Sequence, residues 1–335
     1  MSPRSLFSLL FHGDKALDLV QTALALGMLD RLDAGPAGLG ALCELTGARP
    51  LRMYKFMDGL ESLGLVERRQ AGDSIESSTY TAPQPLAVAA RAVLGEGSIE
   101  RDRDRYPWRE VHGKLAGVLR GERAARFDWP PSTPEAVAGF EVSMAAGCPP
   151  IAESFRANAR ALFGAGAPVK WLDVGGGDGT LAAEVLGLVP HVRADVYNLP
   201  AVEPLVARRA ADARLEGRLG FAGGDFLREP LPRGYGVLSF VRVLHDWPAE
   251  VARTLLEKAH AALEPDATLV VCEEFRTRDR LAVQFFWTYF LVGVDACVSR
   301  LREVEWYERA LAEVGFTDVR VLPGAFDVLV ARRAP

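Results

Sequence analysis

Only four of the 335 residues are cysteine, Cys43, Cys148, Cys272 and Cys297, and no two of them form a CxxC pair. No His-rich segment accompanies them, so neither a metal site nor a disulfide framework is indicated, and the expected compartment is the reducing cytoplasm. Excess positive charge is also missing, since 39 Lys and Arg face 44 Asp and Glu for a formal net charge of -5. Affinity for nucleic acid rests largely on Lys and Arg neutralising phosphates, so this balance argues against a polyanion partner. Long apolar runs are absent as well. The longest, "FFWTYFLVGV" from Phe285 to Val294, is too short to span a bilayer and ends at Asp295, which leaves it as core or pocket wall. The early "LFSLLF" is shorter than a secretory h-region and is followed by no small-residue cleavage site.

What is present is a globular composition, 49% hydrophobic and 25% charged, with enough apolar chain for a sizeable core. At a soft ~150 residues per domain, about two domains are expected. Residues 14 to about 90 read as helices followed by a short ribbon. In "ALDLVQTALALGMLDRL", Leu17, Val20, Leu24, Met28 and Leu32 recur at helical spacing, so one apolar stripe seeks a partner. Then "GLGALCELTG", "ARPLRMYKFMDGLESLGLVERR", a polar turn and "SSTYTA" complete a winged-helix order of helices and a two-stranded wing. A groove-reading role is disfavoured, because the third helix is half apolar and its Arg52 and Lys55 are offset by Asp58 and Glu61. Residues 96–165 read as a mostly helical connector in which "IERDRDR" is a solvated face. Within it Thr133 caps a helix whose first position is Pro134, with Phe140 and Met144 four residues apart.

From Val169 the rhythm alternates. Apolar runs "VKWLDVG", "RADVYNL", "LGFAGGDF", "GVLSFVRVL" and "ATLVVCEEF" are separated by helix-length segments, which predicts a parallel sheet covered on both faces. The closing "DVRVLPGAFDVLVAR" predicts a hairpin and an antiparallel last strand. Ligands of such sheets bind at the carboxyl ends of the strands, where "WLDVGGGDGT" sits between a strand and a helix. Gly175, Gly177 and Gly179 give G-x-G-x-G, whereas the dinucleotide fingerprint needs a glycine where Thr180 stands.

The ordered motifs "LDVGGGDGT", "YNLPAV", "GGDF", "VRVLHDWP", "LVVCEEF" and "EWYERALAEVGF" resemble the class I S-adenosylmethionine-dependent methyltransferases over nearly the whole chain. Specifically, they are similar to the small-molecule O-methyltransferases of plants and bacterial natural-product pathways. The resemblance implies a winged-helix dimerisation domain over 1–95, a helical connector contributing to the substrate pocket over 96–165, and a seven-stranded Rossmann-like catalytic domain over 166–335. It implies a homodimer acting on an aromatic small molecule, with no nucleic acid, membrane or metal. Gly175, Gly177 and Gly179 would pass beneath the methionine end of S-adenosylmethionine, and Asp173 would hold the loop or, through water, the ammonium group. Asp225 would accept from the adenine amine with Phe226 against the ring, and Arg242 would anchor the cofactor carboxylate. Phe140, Met144, Phe286, Trp287 and Tyr289 would form walls for an aromatic acceptor.

Two departures stand out. Asn198 replaces the family's usual aspartate at the ribose, leaving one acceptor and one donor face where a carboxylate accepts twice. No acid in "ACVSRLRE" aligns cleanly with the position of the family's second orienting acid, and Glu303 and Glu305 lie beyond that position. His245 follows a strand and matches the family's general base, an apt role for an imidazole of unperturbed pKa ~6.5. Glu273 matches the position that orients it, with Glu274 as the alternative, because strand alternation turns only one inward. Transfer to carbon or nitrogen, a non-methylating use of the cofactor, and a winged-helix ligand sensor are the competing readings.

Overall fold

The computed structural model describes residues 2–95, 115–120, 131, 133–276 and 301–334. The chain divides into two compact units, Met1–Arg103 and Asp104–Pro335.

In the first unit, helices α1 (Pro3–Phe11), α2 (Gly13–Ala25), α3 (Met28–Asp33), α4 (Leu39–Thr46), α5 (Pro50–Ser62) and α6 (Ala87–Leu94) accompany three short strands. Strand β3 (Thr79–Thr81) pairs antiparallel with β2 (Glu67–Arg69), the expected wing, and on its other edge with β1 (Ala37–Gly38). The stripe from Leu17 to Leu32 is not one helix. It breaks at Gly27, whose φ of 70° starts α3 on a new axis, so Met28 and Leu32 are buried while Leu17 stays exposed. Helix α5 buries Met53, Met57 and Leu60, and the wing's Arg68 is engaged by Asp58 at 2.5 Å and Glu61 at 2.9 Å.

The second unit is built on a seven-stranded sheet of order β6-β5-β4-β7-β8-β10-β9. Its strands are β4 (Val169–Val174), β5 (Val192–Asn198), β6 (Leu219–Gly223), β7 (Val237–Val241), β8 (Thr268–Cys272), β9 (Phe316–Leu322) and β10 (Val328–Arg333). The first five pair in parallel, as their apolar runs predict, and β10 inserts antiparallel between β8 and β9. Helix α7 (Leu115–Leu119) is followed in this unit by five more, α8 (Pro134–Ala145), α9 (Pro149–Ala157), α10 (Ala159–Phe163), α11 (Thr180–Leu188) and α12 (Glu203–Asp212). Side chains from α8 to α12 pack on one face of the sheet, around Ile151, Phe155, Trp171 and Val196. Helix α13 (Ala249–Ala262) and the helix Val304–Val314 cover the other face around Leu238, Phe240, Leu255 and Leu311. Thr133 does cap α8, its hydroxyl accepting from the Ala136 amide at 3.2 Å. The topology reverses direction at β4, so the carboxyl ends of β4 and β7 open a crevice.

Candidate active site

Trp171 and Asp173 lie two apart on β4 and share one face of the sheet. The Trp171 indole, wedged between Phe155 and Phe163, donates to the Ser239 hydroxyl at 2.8 Å, and that hydroxyl donates to Asp173 Oδ1 at 2.6 Å. The relay fixes one carboxylate oxygen. Asp173 Oδ2 has no partner among the described residues, and burial holds this acid at a pKa of about 7 despite the Ser239 hydrogen bond.

The glycine loop follows directly. Gly175 and Gly177 both take left-handed backbone conformations, φ 73° and 57°, and a Cβ on either would strike Val243 or the Glu141 carboxylate. Gly179, the third glycine of the loop, has a φ of 81°. It lies outside the residues lining the cavity and caps α11, with Val196 and Leu219 at 3.5 Å from where its Cβ would stand. Its neighbours Asp178 and Thr180 line the cavity instead.

The cavity holds about 350 Å³ and draws on α8, the glycine loop, Asn198, Asp225, Phe226 and the 241–247 segment. Such a volume suits a small organic ligand. Its walls include five carboxylates, Glu141, Asp173, Asp178, Asp225 and Asp246, against two guanidiniums, Arg228 and Arg242. An enclosure of that sign favours a cationic ligand. Asn198 accepts from the Leu199 amide at 2.8 Å, and Asp225 accepts from the Leu227 amide at 2.9 Å, so each also shapes its own turn. Phe226 meets Trp247 edge to face at 6.0 Å. Arg242 takes a left-handed φ of 54° and donates to the Met144 carbonyl at 2.7 Å. A non-glycine residue held there stores backbone strain beside the cavity.

Along α8, Val137, Phe140, Glu141, Met144 and Ala145, continued by Cys148, face the cavity at spacings of three and four. Phe140 and Met144 are thus brought to it. Phe285, Phe286, Trp287 and Tyr289 lie outside the described residues.

His245 is buried behind the lining residues, at 2% exposure. Its Nδ1 meets Glu273, and its Nε2 lies 3.3 Å from Asp246 Oδ1. Burial alone would lower the imidazole pKa, but the Glu273 and Asp246 carboxylates outweigh it and push the value up to about 10. Glu273 also accepts from the Val243 amide at 3.1 Å and the Leu244 amide at 2.7 Å. Of the two adjacent acids, Glu273 is therefore the one that meets the imidazole, and Glu274 is buried beside it. The segment that lacks the expected second acid supplies Arg302. This buried guanidinium donates to the Leu244 carbonyl at 2.8 Å and to the Trp247 carbonyl, and it stacks on Trp306 at 4.6 Å.

Glu141, Arg302 and the Asp246 contact were not singled out in the sequence. Only Glu141 left a signal, as the lone charge inside an otherwise apolar stripe.

Residues 167–317 match the O-methyltransferase domain family. The tetracenomycin polyketide synthesis 8-O-methyl transferase TcmO of Streptomyces glaucescens is 29% identical over 92% of this chain and 89% of its own length. The N,N-dimethyltransferase OxyT of Streptomyces rimosus is 29% identical over 91% and 88%. Among solved structures, the apo S-adenosylmethionine-dependent methyltransferase SibL superposes with a TM-score of 0.69 at 22% identity, covering 99% of both chains.

Proposed function

We propose that this chain is an S-adenosylmethionine-dependent O-methyltransferase that methylates a hydroxyl group of an aromatic small molecule made in a natural-product pathway, a reading supported by the match of residues 167–317 to the O-methyltransferase domain family. The observation that carries this reading is the acid-lined cavity at the strand ends, next to a buried His245–Glu273 pair. S-adenosylmethionine supplies a methyl group already activated on a sulfonium. The chain's residues then have to hold that cation, align an acceptor in line with it and take up the acceptor's proton. Asp173, Gly175 and Gly177 would cradle the methionine end, Arg242 the carboxylate, and Asn198, Asp225 and Phe226 the nucleoside. Phe140 and Met144, with Phe286, Trp287 and Tyr289, would wall the acceptor.

His245 is the proposed proton acceptor, oriented by Glu273. The two carboxylates that raise its basicity also hold it as imidazolium at neutral pH, so it works once that proton leaves. Asp246, which lines the cavity and touches Nε2, is the outlet. The same observation supports a second reading with an amine acceptor, which needs little help from a base, and OxyT is named an N,N-dimethyltransferase. Incubating chelator-treated protein with methyl-labelled cofactor and panels of phenols and amines, followed by mass spectrometry, tests both. Label on neither panel, with no cofactor binding by calorimetry, would reject the assignment.

At the ribose, a carboxylate accepts from both hydroxyls where an amide accepts from one face. Asn198→Asp is therefore expected to bind the cofactor at least as tightly as the parent. A tenfold loss, about 1.4 kcal/mol, with intact circular dichroism would remove Asn198 from the ribose.

We place dimerisation in residues 1–95, where α1 leaves Leu6, Phe7, Leu10 and Phe11 exposed. A contiguous apolar surface of this kind marks an interface. Light scattering is expected to give twice the 36.4 kDa chain mass at micromolar concentration; a monomer would count against it. A gel shift at low salt is expected to show no DNA complex.

A further inference from the structure

Glu141 has no task in the scheme above, and its surroundings are unusual. It sits at the centre of the α8 stripe, 7% exposed, where an acid would ordinarily be excluded. Its Oε2 lies 2.5 Å from where a Cβ on Gly177 would stand, so the carboxylate presses on the glycine loop and any side chain there would evict it. The Asp178 backbone amide faces it. Asp173, whose Oδ2 has no partner among the described residues, lines the same cavity.

No described cation is at ion-pairing distance from Glu141. Arg242 is directed to the Met144 carbonyl, and Arg209 is held by Asp178 at 2.5 Å. Burial, reinforced by the charge of Asp178 and opposed by Arg242, leaves Glu141 with a pKa of about 7. A buried acid in this state is costly unless a cation arrives to pair with it.

We infer that Glu141 is the counter-ion of the cofactor's α-ammonium group, a carboxylate lent by the α8 helix to the glycine loop. The inference rests on the reading that this cavity takes S-adenosylmethionine. It assigns Glu141 to the methionine end, which S-adenosylmethionine and S-adenosylhomocysteine share, and not to the sulfonium, which only the first carries. Charge-assisted hydrogen bonds at a buried site are among the strong ones, and the near-isosteric Glu141→Gln keeps the volume while removing the charge.

The experiment is isothermal calorimetry of parent and Glu141→Gln with three probes: S-adenosylmethionine, S-adenosylhomocysteine, and the desamino analogue of S-adenosylhomocysteine. The variant is expected to lose at least tenfold in affinity for the first two and little for the third. The parent itself is expected to bind the desamino analogue at least tenfold more weakly than S-adenosylhomocysteine, a comparison that needs no variant. An ammonium favours the ionised acid, so binding near pH 6 releases protons, measurable from the dependence of the heat on buffer. The Asp173 contribution should persist in the variant while the Glu141 contribution, up to one proton, disappears.

Equal affinities of parent and variant for S-adenosylhomocysteine, a loss confined to S-adenosylmethionine, or an unchanged proton release would each overturn the inference. A parent that binds none of the probes would instead reject the cofactor reading on which it rests.

Discussion

Replacing His245 by alanine is expected to slow methyl transfer to a hydroxyl by about 10²–10⁴-fold, the usual effect of losing a positioned base, with cofactor affinity nearly unchanged. A phenol starts with a pKa of ~10, close to the value of about 10 to which Glu273 and Asp246 lift the imidazole. Raising the imidazole's basicity brings it nearer to the phenol whose proton it takes. Because the resting imidazolium must first lose its proton, kcat/KM should rise with pH above neutrality. Asp246→Asn removes one of the anions that hold that proton, so the rise should move to lower pH. Stability should run the other way. An imidazole whose folded pKa lies above its unfolded ~6.5 contributes stability that is fully present below pH ~6.5 and lost as pH climbs through about 10. The parent's melting temperature should therefore fall between pH 7 and 10, and that fall should be shallower in His245→Ala. A His245→Ala variant that keeps most of its rate on a verified substrate would sink the oxygen-acceptor mechanism and favour the amine.

The parts of this molecule legible from sequence are those set by local chemistry. Five apolar runs became parallel strands because their apolar residues bury against the covering helices, with β7 and β8 buried almost throughout, and Thr133-Pro134 started α8 because capping acts within four residues. The stripe from Leu17 to Leu32 misled because its apolar spacing continues through Gly27, while the backbone turns there. The insertion of β10 between β8 and β9 depends on which edges are free in the folded sheet, which no window of residues reports. Strand alternation left Glu273 and Glu274 level, and it is the amides of Val243 and Leu244, about thirty residues upstream, that capture Glu273. Arg302 stands in "RLRE", a stretch that reads as solvated surface. Its burial comes from two carbonyls and an indole that only the tertiary fold assembles.

That placement makes Arg302 the other position where a single change should be severe. Its guanidinium supplies donors to the carbonyls on either side of His245 and Asp246, and it lies over the Trp306 ring at 4.6 Å, which Arg253 also approaches at 5.6 Å. Arg302→Ala leaves the Leu244 and Trp247 carbonyls without that donor and opens a void under the loop. At ~1–3 kcal/mol for each buried group stripped of its partner, the loss should be about 3 kcal/mol. For a unit of this size that is roughly 6–12 °C in melting temperature. Arg302→Lys keeps the charge but not the planar fork or the stacking, so it should recover only part of the stability. Arg302 does not itself line the cavity and reaches it only through the Trp247 carbonyl, so it acts by positioning the 244–247 turn. The expected kinetic signature is a lower kcat, and a shifted pH profile as Asp246 moves relative to Nε2, with cofactor affinity little changed. Urea unfolding, calorimetry and a pH–rate profile on the same variants separate the two effects. If Arg302→Ala loses stability while its kcat and pH profile match the parent's, the residue braces the fold without setting the geometry of His245.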